Sequence, residues 1–552
     1  MRPAVVAGLM VAAVVAGSVA GPAQTGAAAE PTLAPGGSFF DDDGDVHEGA
    51  IEAIFAAGIT RGCASPDLFC PDEPITRGQM AAFLVRALAT PPAARPTVFD
   101  DTGGSVFADE IDRISTMGIT KGCAERRFCP DEAVTRGQMA AFLTRAFDLD
   151  ASGTDPYLDD DGSVFEADIA AIHAAGITAG CAPDGFCPDD PVTRGQMASF
   201  LTRALGLTPA TPPPRPSLEL AFAGDTLIHM QLTRRAAVNG DRSGQAYDFS
   251  PMFEPVRSLI SDADLALCHL EVPLAADNRG LSGYPTFNAP RQLADGLADA
   301  GFDGCSTASN HSFDQGDDGI VETLDVLESV GLGHAGMART AAEADRVTTY
   351  QVGEMEIAHI SATWWLNGFR LPSAMPWLVE EPLDTDRLIG LAESARSNGA
   401  DFVVASIHCC VEYQTMPTPF QKTTARTLVS SDAIDLVVGH HAHVVQPVEL
   451  HRGEYIVYGL GNFVSAQRQR PETIDGVIVL VDVALRNGNW VSRSIDYVPT
   501  WVEPGTYRVL PAAETIAAGA GALESTLRAS WKRTSAAIGL MGAEGVEARN
   551  RP

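Results

Sequence analysis

The chain has 552 residues, 45% hydrophobic and 7% aromatic, which is material for two to four domains with real cores and too apolar for bulk disorder. Its 71 acidic and 38 basic residues give a formal charge of −33. Such a surface repels nucleic acid and anionic membrane, which argues against both as partners, and it suits solubility in a salty medium.

Residues 1–29 read as a secretory signal peptide. Arg2 precedes an apolar run from Val5 to Val19, and small residues continue to Ala29, with cleavage expected after Ala23 or Ala29. No later stretch reaches the roughly 18 to 20 apolar residues of a membrane span. The mature chain is therefore expected to be secreted, without a transmembrane segment. Ten cysteines fit an oxidising compartment.

A unit of about 60 residues then occurs three times. Each copy opens on acidic residues: FFDDDGDVHEGAI, VFDDTGGSVFADEI and YLDDDGSVFEADI. An amphipathic helix follows and ends at Gly58, Gly118 or Gly176. Next comes a loop holding Cys63 and Cys70, Cys123 and Cys129, or Cys181 and Cys187. These pairs lack the close spacing of a structural zinc site and are expected to be local disulfides. Each would add about 2–3 kcal/mol by the chain-entropy argument. The unit closes on ITRGQMAAFLVRAL or a near copy, where Thr is a natural N-cap and the apolar residues recur at helical spacing. Two short helices cannot bury their apolar faces alone, so the three units are expected to pack together. The Asp41–Asp45 cluster could bind calcium, but it lacks the spacing of a known calcium loop and reads rather as a solvated N-cap cluster.

The order of these features resembles the surface-layer homology (SLH) domain, with repeats at 37–91, 97–149 and 156–206 forming a mainly helical unit. The resemblance implies binding of a cell-wall polymer, with Arg77, Arg136 and Arg194 contributing to an anionic-polymer pocket. The alternative for each Arg is a helix-start residue paired with a local Asp. Where that family usually has Glu, this chain has Gln79, Gln138 and Gln196.

Residues 207–217, LTPATPPPRPS, form a proline-rich linker. From 218 to 500, apolar runs alternate with helical patterns, which predicts an α/β layered domain with largely parallel strands. Five predicted strand ends carry polar residues: Asp225, Glu271, Asn310 with His311, His408, and the cluster His440, His441 and His443. Ligands collect outside the carboxyl ends of such strands. Asp225, Glu271, Asn310, His408, His441 and His443 offer a mixed oxygen and nitrogen set, suited to a pair of Mn, Zn or Fe ions rather than calcium. In an extended chain His441 and His443 point the same way; they resemble the His-x-His of the metallophosphoesterases, in which His440 falls where a small residue is usual, so His440 is expected to point away and be dispensable. His311 is placed as general acid or base, oriented by Asp314. Cys268, Cys305, Cys409 and Cys410 show no pattern that pairs them. The adjacent Cys409 and Cys410 could bond to each other, pair elsewhere or touch the metal.

The motifs GDTLIH, YDFSPMFEPV, HLEVPL, GYPTFNAP, ASNHSFDQGDDGI, SIHCCVEY, PTPFQ, GHHAHVVQP and YGLGNFVS, in this order across 218–466, resemble the poly-γ-glutamate capsule biosynthesis (CapA-type) family, a branch similar to calcineurin-like metallophosphoesterases. That resemblance implies a metallophosphoesterase-like sheet-and-helix fold and the same metal residues, with His311 as catalytic histidine. The chain departs from the phosphoesterase pattern in three places. Leu227 stands where Asp-x-His would put a histidine, the next histidine being His229; His269 replaces an Asn before Leu-Glu; and Cys409-Cys410 replace Trp-Gly. His229 and His269 are therefore additional candidate ligands.

The expected function is an exported, wall-associated protein with a dinuclear metal site, acting on an anionic polymer, peptide or phosphoester as a phosphoesterase-like hydrolase in capsule or envelope polymer synthesis or processing. The alternatives are a wall-anchored binding protein whose metal site is not catalytic, and a metal-dependent peptide epimerase. Two closing strands, VIVLVDVAL and WVSRSIDYV, flank an Asn487-Gly488 hairpin turn. In the extension 501–552 the tail from Ala512 is Ala-rich, reads as helical and suggests no function.

Overall fold

The computed structural model describes residues 35–63, 65–92, 99–150 and 155–552, so the expected signal peptide lies outside the described residues. The chain divides into two compact units, Met1–Pro214 and Arg215–Pro552.

In the first unit each repeat supplies two helices: Glu48–Ala56 with Arg77–Ala87, Ala108–Thr116 with Arg136–Ala146, and Glu166–Ala174 with Arg194–Ala204. The second helix of each repeat starts at a Thr N-cap, whose side chain accepts from the backbone N–H of Gln79, Gln138 or Gln196. In the first and third repeats the Gln side chain returns the bond to the Thr N–H, so Gln does the work of the Glu usual in a capping box. The packing partners are exchanged around a ring. Arg77–Ala87 packs on Ala108–Thr116, Arg136–Ala146 on Glu166–Ala174, and Arg194–Ala204 on Glu48–Ala56. At the centre three backbone bonds close a cycle: Ile75 N–H to Val192 O, Val192 N–H to Val134 O, and Val134 N–H to Ile75 O, each 2.9 Å. No repeat buries its own apolar faces, and three are needed to close one core around Phe69, Phe128 and Phe186. The loop cysteines form the disulfides Cys63–Cys70, Cys123–Cys129 and Cys181–Cys187.

The second unit stacks two sheets. One runs, in spatial order, Val509–Pro511, Asn489–Val502, Asp475–Arg486, Ser217–Thr226, Leu265–Leu270, Gly304–Ser306 and Gly333–Ala335. The other runs Val448–His451, Glu454–Val457, Leu436–His440, Phe402–His408, Met355–Thr363 and Thr348–Val352. The strands that carry candidate ligands pair in parallel, Ser217–Thr226 with Leu265–Leu270 and Phe402–His408 with Leu436–His440. Period-two alternation sends Leu220, Phe222, Leu265 and Leu267 into the space between the sheets, against Phe402, Val404, Leu436 and Val438. Each such side chain contributes about 1.5–3 kcal/mol on burial. The alternate residues face helices: Ala221 and Ala266 lie under Met230–Ser243 and Gln292–Ala300, while Val403, Ala405 and Val437 lie under Thr385–Ser397 and Pro419–Val429. The result is a helix, sheet, sheet, helix sandwich.

The closing strands meet at Asn487 and Gly488, both at positive φ, as a tight hairpin requires. The strand Asn489–Val502 runs across the expected boundary at 500, and the helix Glu524–Ile538 packs on it, burying Leu527 and Ile538. The tail is thus part of the sandwich.

Candidate metal centre

The polar residues gather where the inner faces of the two sheets end. The Ser217–Thr226 strand has one extra residue relative to its neighbour, since Phe222 pairs with Leu267 and Asp225 with His269. This bulge reverses the parity of the strand, so Asp225 joins Phe222 on the inner face instead of following Ala221 and Ala223 toward the helices. Gly224 lies within it, where a Cβ would come 2.1 Å from Gly461 O. On the facing sheet, His408 follows Val404 and His440 follows Val438 onto the same inner face, and the two histidines are register partners.

This overturns the expected place of His440. Counted from its own strand it points inward; it is 3% exposed, its ring stacks on His269 at 4.0 Å, and its Nδ1 is 3.3 Å from Asp225 Oδ1. The strand ends at His440, so its side-chain alternation does not extend to His441 and His443. His441 and His443 sit in the turn beyond, at φ +86° and +53°, and it is this turn that brings their rings to the site. Positive φ in a non-glycine residue costs about 1–2 kcal/mol and is typical of functional turns.

Glu271, fully buried, has neither carboxylate oxygen hydrogen-bonded. Its Oε1 lies 3.8 Å from both His408 Nε2 and His443 Nε2. His408 Nε2 is 2.9 Å from Asn310 Oδ1, while His408 Nδ1 is 2.9 Å from His269 Nε2. His269 Nδ1 meets Ser306 Oγ at 2.8 Å. His443 Nδ1 lies 3.0 Å from Asp225 Oδ2. The ligand atoms of Asp225, His269 and His408 fall within 4.8 Å of one another, as do those of Glu271, His408 and His441.

Burial makes the imidazoles of His269, His408 and His441 poor proton acceptors, with neighbouring histidines adding to the effect; His441 is held at about 3. They are therefore neutral, with lone pairs to give. Burial also disfavours charge on Asp225, yet bonds from His440 and His443 keep its carboxyl well below the ordinary range. Burial drives Glu271 the other way, well above it, despite the attraction of His443. His443 resists its own burial and is raised to about 9 by Glu271 and Asp225. A buried carboxylate without a partner is costly unless a cation meets it. Orphaned oxygens, the neutral imidazoles of His269, His408 and His441 and an amide carbonyl together fit a transition-metal ion of the Mn, Zn or Fe kind.

His311 stands beside this cluster at 6% exposure. Its Nδ1 donates to Asp314 Oδ2 at 2.8 Å, and the same oxygen accepts from Phe287 N–H at 2.6 Å. Asn310 Nδ2 donates to Asn367 Oδ1 at 3.3 Å, and the Asn367 amide lies 3.5 Å from His311 Nε2. His229 caps a helix and turns Nδ1 onto Leu227 O at 3.2 Å, its ring edge-on to Phe287.

Sequence reasoning missed Asn462. It is fully buried, its Oδ1 is 3.1 Å from His443 Nδ1, and Nδ2 donates to Thr473 O at 2.9 Å. GLGNFVS marked its neighbourhood, but only the pairing of Asn462 with Asp225 reveals its role. The four unassigned cysteines also resolve. Cys268 and Cys305 are register partners on adjacent strands and are bonded, and Cys409 bonds Cys410 directly after His408.

In the first unit Arg77, Arg136 and Arg194 are buried where each repeat meets the next. Their Nε atoms donate to Phe128 O, Phe186 O and Phe69 O at 2.7, 2.7 and 2.8 Å, and the guanidinium groups lie over the same phenyl rings. They stitch the ring of repeats together. Arg194 also borders a cleft of about 440 Å³ with Arg61, Glu73, Gln79, Arg86 and Phe107.

Residues 219–467 match the family of the bacterial capsule synthesis protein PGA_cap, and 39–81, 98–140 and 156–198 match the S-layer homology domain. The chain is similar to the PGA biosynthesis protein CapA of Bacillus subtilis, 33% identical over 31% of this chain and 44% of the relative. It is 25% identical to the capsule biosynthesis protein CapA of Bacillus anthracis over 57% of this chain and 75% of that one. Its front part is similar to the S-layer protein sap of Bacillus anthracis, 30% identical over 25% and 18%. Among solved structures, the calcineurin-like phosphoesterase YfkN of Bacillus subtilis matches over 58% of this chain and 100% of its own, at 12% identity and a TM-score of 0.32.

Proposed function

We propose that this chain, a CapA-type protein of the PGA_cap family carrying three S-layer homology repeats, is a wall-anchored, metal-dependent hydrolase in the synthesis or processing of an anionic envelope polymer, poly-γ-glutamate foremost. The observation that carries the reading is Glu271: a fully buried carboxyl with no hydrogen bond, 3.8 Å from His408 Nε2, an imidazole held neutral by burial, and 3.8 Å from His443 Nε2. Asp225, Glu271, Asn310, His408, His441 and His443 would hold two ions, with His269 and His440 closing the inner side. When bound, the ions would polarise the scissile group and offset its negative charge.

The chain's own acid–base group is His311. Donation from Nδ1 to Asp314 fixes the ring and leaves Nε2 as the nitrogen that exchanges a proton with what binds. A proton carried on Nε2 passes to the leaving group. Asn367, within reach of both His311 and Asn310, orients what binds between them. Its loop also bears Trp364, Trp365 and Phe369, all exposed, a surface for the less polar parts of a substrate. The polymer's charge is met by the ions rather than by the acidic surface. Anchoring falls to the repeats, with the Arg61, Arg86 and Arg194 cleft as the site for an anionic wall polymer.

The test is metal analysis of the purified full chain after Mn, Zn or Fe loading, with turnover on phosphoester and poly-γ-glutamate substrates. His311→Ala should keep the metal and lose activity by about 10²–10⁴-fold. A chain that retains no metal after loading refutes the reading. Sedimentation with purified cell walls tests the anchor.

A further inference from the structure

The acidic turn that opens each repeat contains two kinds of aspartate. The first is structural in all three copies. Asp41 accepts from Phe69 and Cys70 N–H at 2.7 and 2.7 Å, Asp101 from Phe128 and Cys129 N–H at 2.8 and 2.9 Å, and Asp159 from Phe186 and Cys187 N–H at 2.7 and 2.7 Å. The next residue is Asp42, Thr102 or Asp160. Asp42 is 0% and Asp160 1% exposed, and none of their four carboxylate oxygens has a hydrogen-bond partner. The turn is thus not the solvated helix start that the sequence suggested.

A second acid accompanies each orphan. Glu48 reaches back to accept from Gly44 N–H at 3.1 Å, and Glu166 does the same to Gly162 N–H at 2.9 Å, which holds both carboxylates on the turn of the buried Asp. In the middle repeat the two positions are Thr102 and Ala108. The buried Asp and its Glu are present together in two repeats and absent together in the third. A carboxylate serving only as a helix cap would not need the other acid. The surrounding charges are themselves acidic: burial, then Glu52, Glu48, Asp41 and Asp43, raise Asp42 to about 8, and burial, then Asp155, with Asp159 and Glu166, raises Asp160 to about 6.

We propose that the first and third repeats each bind one calcium ion, through Asp42 with Glu48 and through Asp160 with Glu166, and that the middle repeat binds none. An all-oxygen donor set is hard and favours calcium over the transition metals of the other unit. Extracellular modules bind calcium at about 10⁻⁴–10⁻³ M, so occupancy tracks an exported protein's surroundings. Glu52, buried beside Asp42, has the non-acidic Ala170 as its counterpart in the third repeat, which makes the first site the tighter.

The experiment is calorimetric titration of calcium into the chelator-stripped full chain, with thermal unfolding in parallel. Wild type should take up two calcium ions and unfold at a higher temperature with calcium. Asp42→Asn and Asp160→Asn should each lose one ion, and the double variant both, along with the calcium-dependent shift. Thr102→Asp combined with Ala108→Glu should gain a third ion, a result that does not depend on the loss variants folding. Equal calcium uptake by wild type and the double variant overturns the proposal. So does a double variant stabilised to the same extent with and without calcium, which is the behaviour of two buried acids that simply hold protons.

Discussion

Glu271→Gln separates a metal ligand from a packing element, because the two roles predict opposite responses to chelation. The substitution keeps shape and removes charge from a side chain that is fully buried and makes no hydrogen bond. Losing even an outer partner of a metal ligand weakens affinity about 10–100-fold, so losing an anionic donor should cost at least about 100-fold. At free ion a hundred times the wild-type Kd, binding contributes about 2.7 kcal/mol; at a hundredfold weaker affinity it contributes about 0.4 kcal/mol. The difference, about 2.3 kcal/mol, falls on a unit of about 340 residues, which unfolds with an entropy of about 0.7 kcal/mol per degree. The loaded variant should therefore melt about 3 °C below wild type and bind less metal. Under chelator at pH 8 the order should vanish or reverse, since the variant no longer carries a carboxyl that burial holds well above its ordinary range. The assay is calorimetry of both proteins, with and without chelator, alongside elemental analysis. The same drop in Tm in both conditions, with unchanged metal content, would refute the ligand role.

His440→Ala should weaken metal retention at least about 10-fold against a competing chelator, because its ring packs on His269 and meets Asp225; behaviour like wild type would restore the dispensable reading. Arg136→Ala should destabilise the front unit by about 2–4 kcal/mol in denaturant, through the stranded Phe186 carbonyl and the cavity between rings, and Arg136→Lys should rescue little. Full stability with loss of wall binding would instead make this Arg a polymer contact. Burial and then Asp435 raise Glu454 from 4.5 to about 7. A raised folded pKa means its contribution to stability is present below about pH 4.5 and is lost as pH rises through about 7. Glu454→Gln should thus match wild type near pH 4.5 and exceed it by about 1–3 kcal/mol at pH 8; an offset independent of pH would contradict this.

Local signals were enough for much of this protein. Thr76, Thr135 and Thr193 are N-caps because a hydroxyl before a helical apolar stripe has a backbone N–H to satisfy, and the alternation of apolar runs with helical stretches made the α/β layers legible. The repeated cysteine spacing gave three disulfides, since a loop of a few residues keeps its ends together whatever surrounds it. Other features depend on which strands become neighbours. Cys268 and Cys305 are far apart in sequence and pair only across adjacent strands. Asp225 faces the histidines through a one-residue bulge that composition does not signal, and a single such residue reverses every side chain beyond it. The same parity, counted within the strand Leu436–His440, brings His440 into the site. The exchange of helices around the front ring buries Arg77, Arg136 and Arg194, expected from the sequence either in a polymer pocket or at helix starts paired with a local Asp. By itself the sequence determined which residue types were available and where strands and helices would form, because those follow from contacts a few residues apart. Only the tertiary structure decided which side of each strand they occupy and which carboxylates end up buried without partners, because both depend on register and on elements distant in the chain.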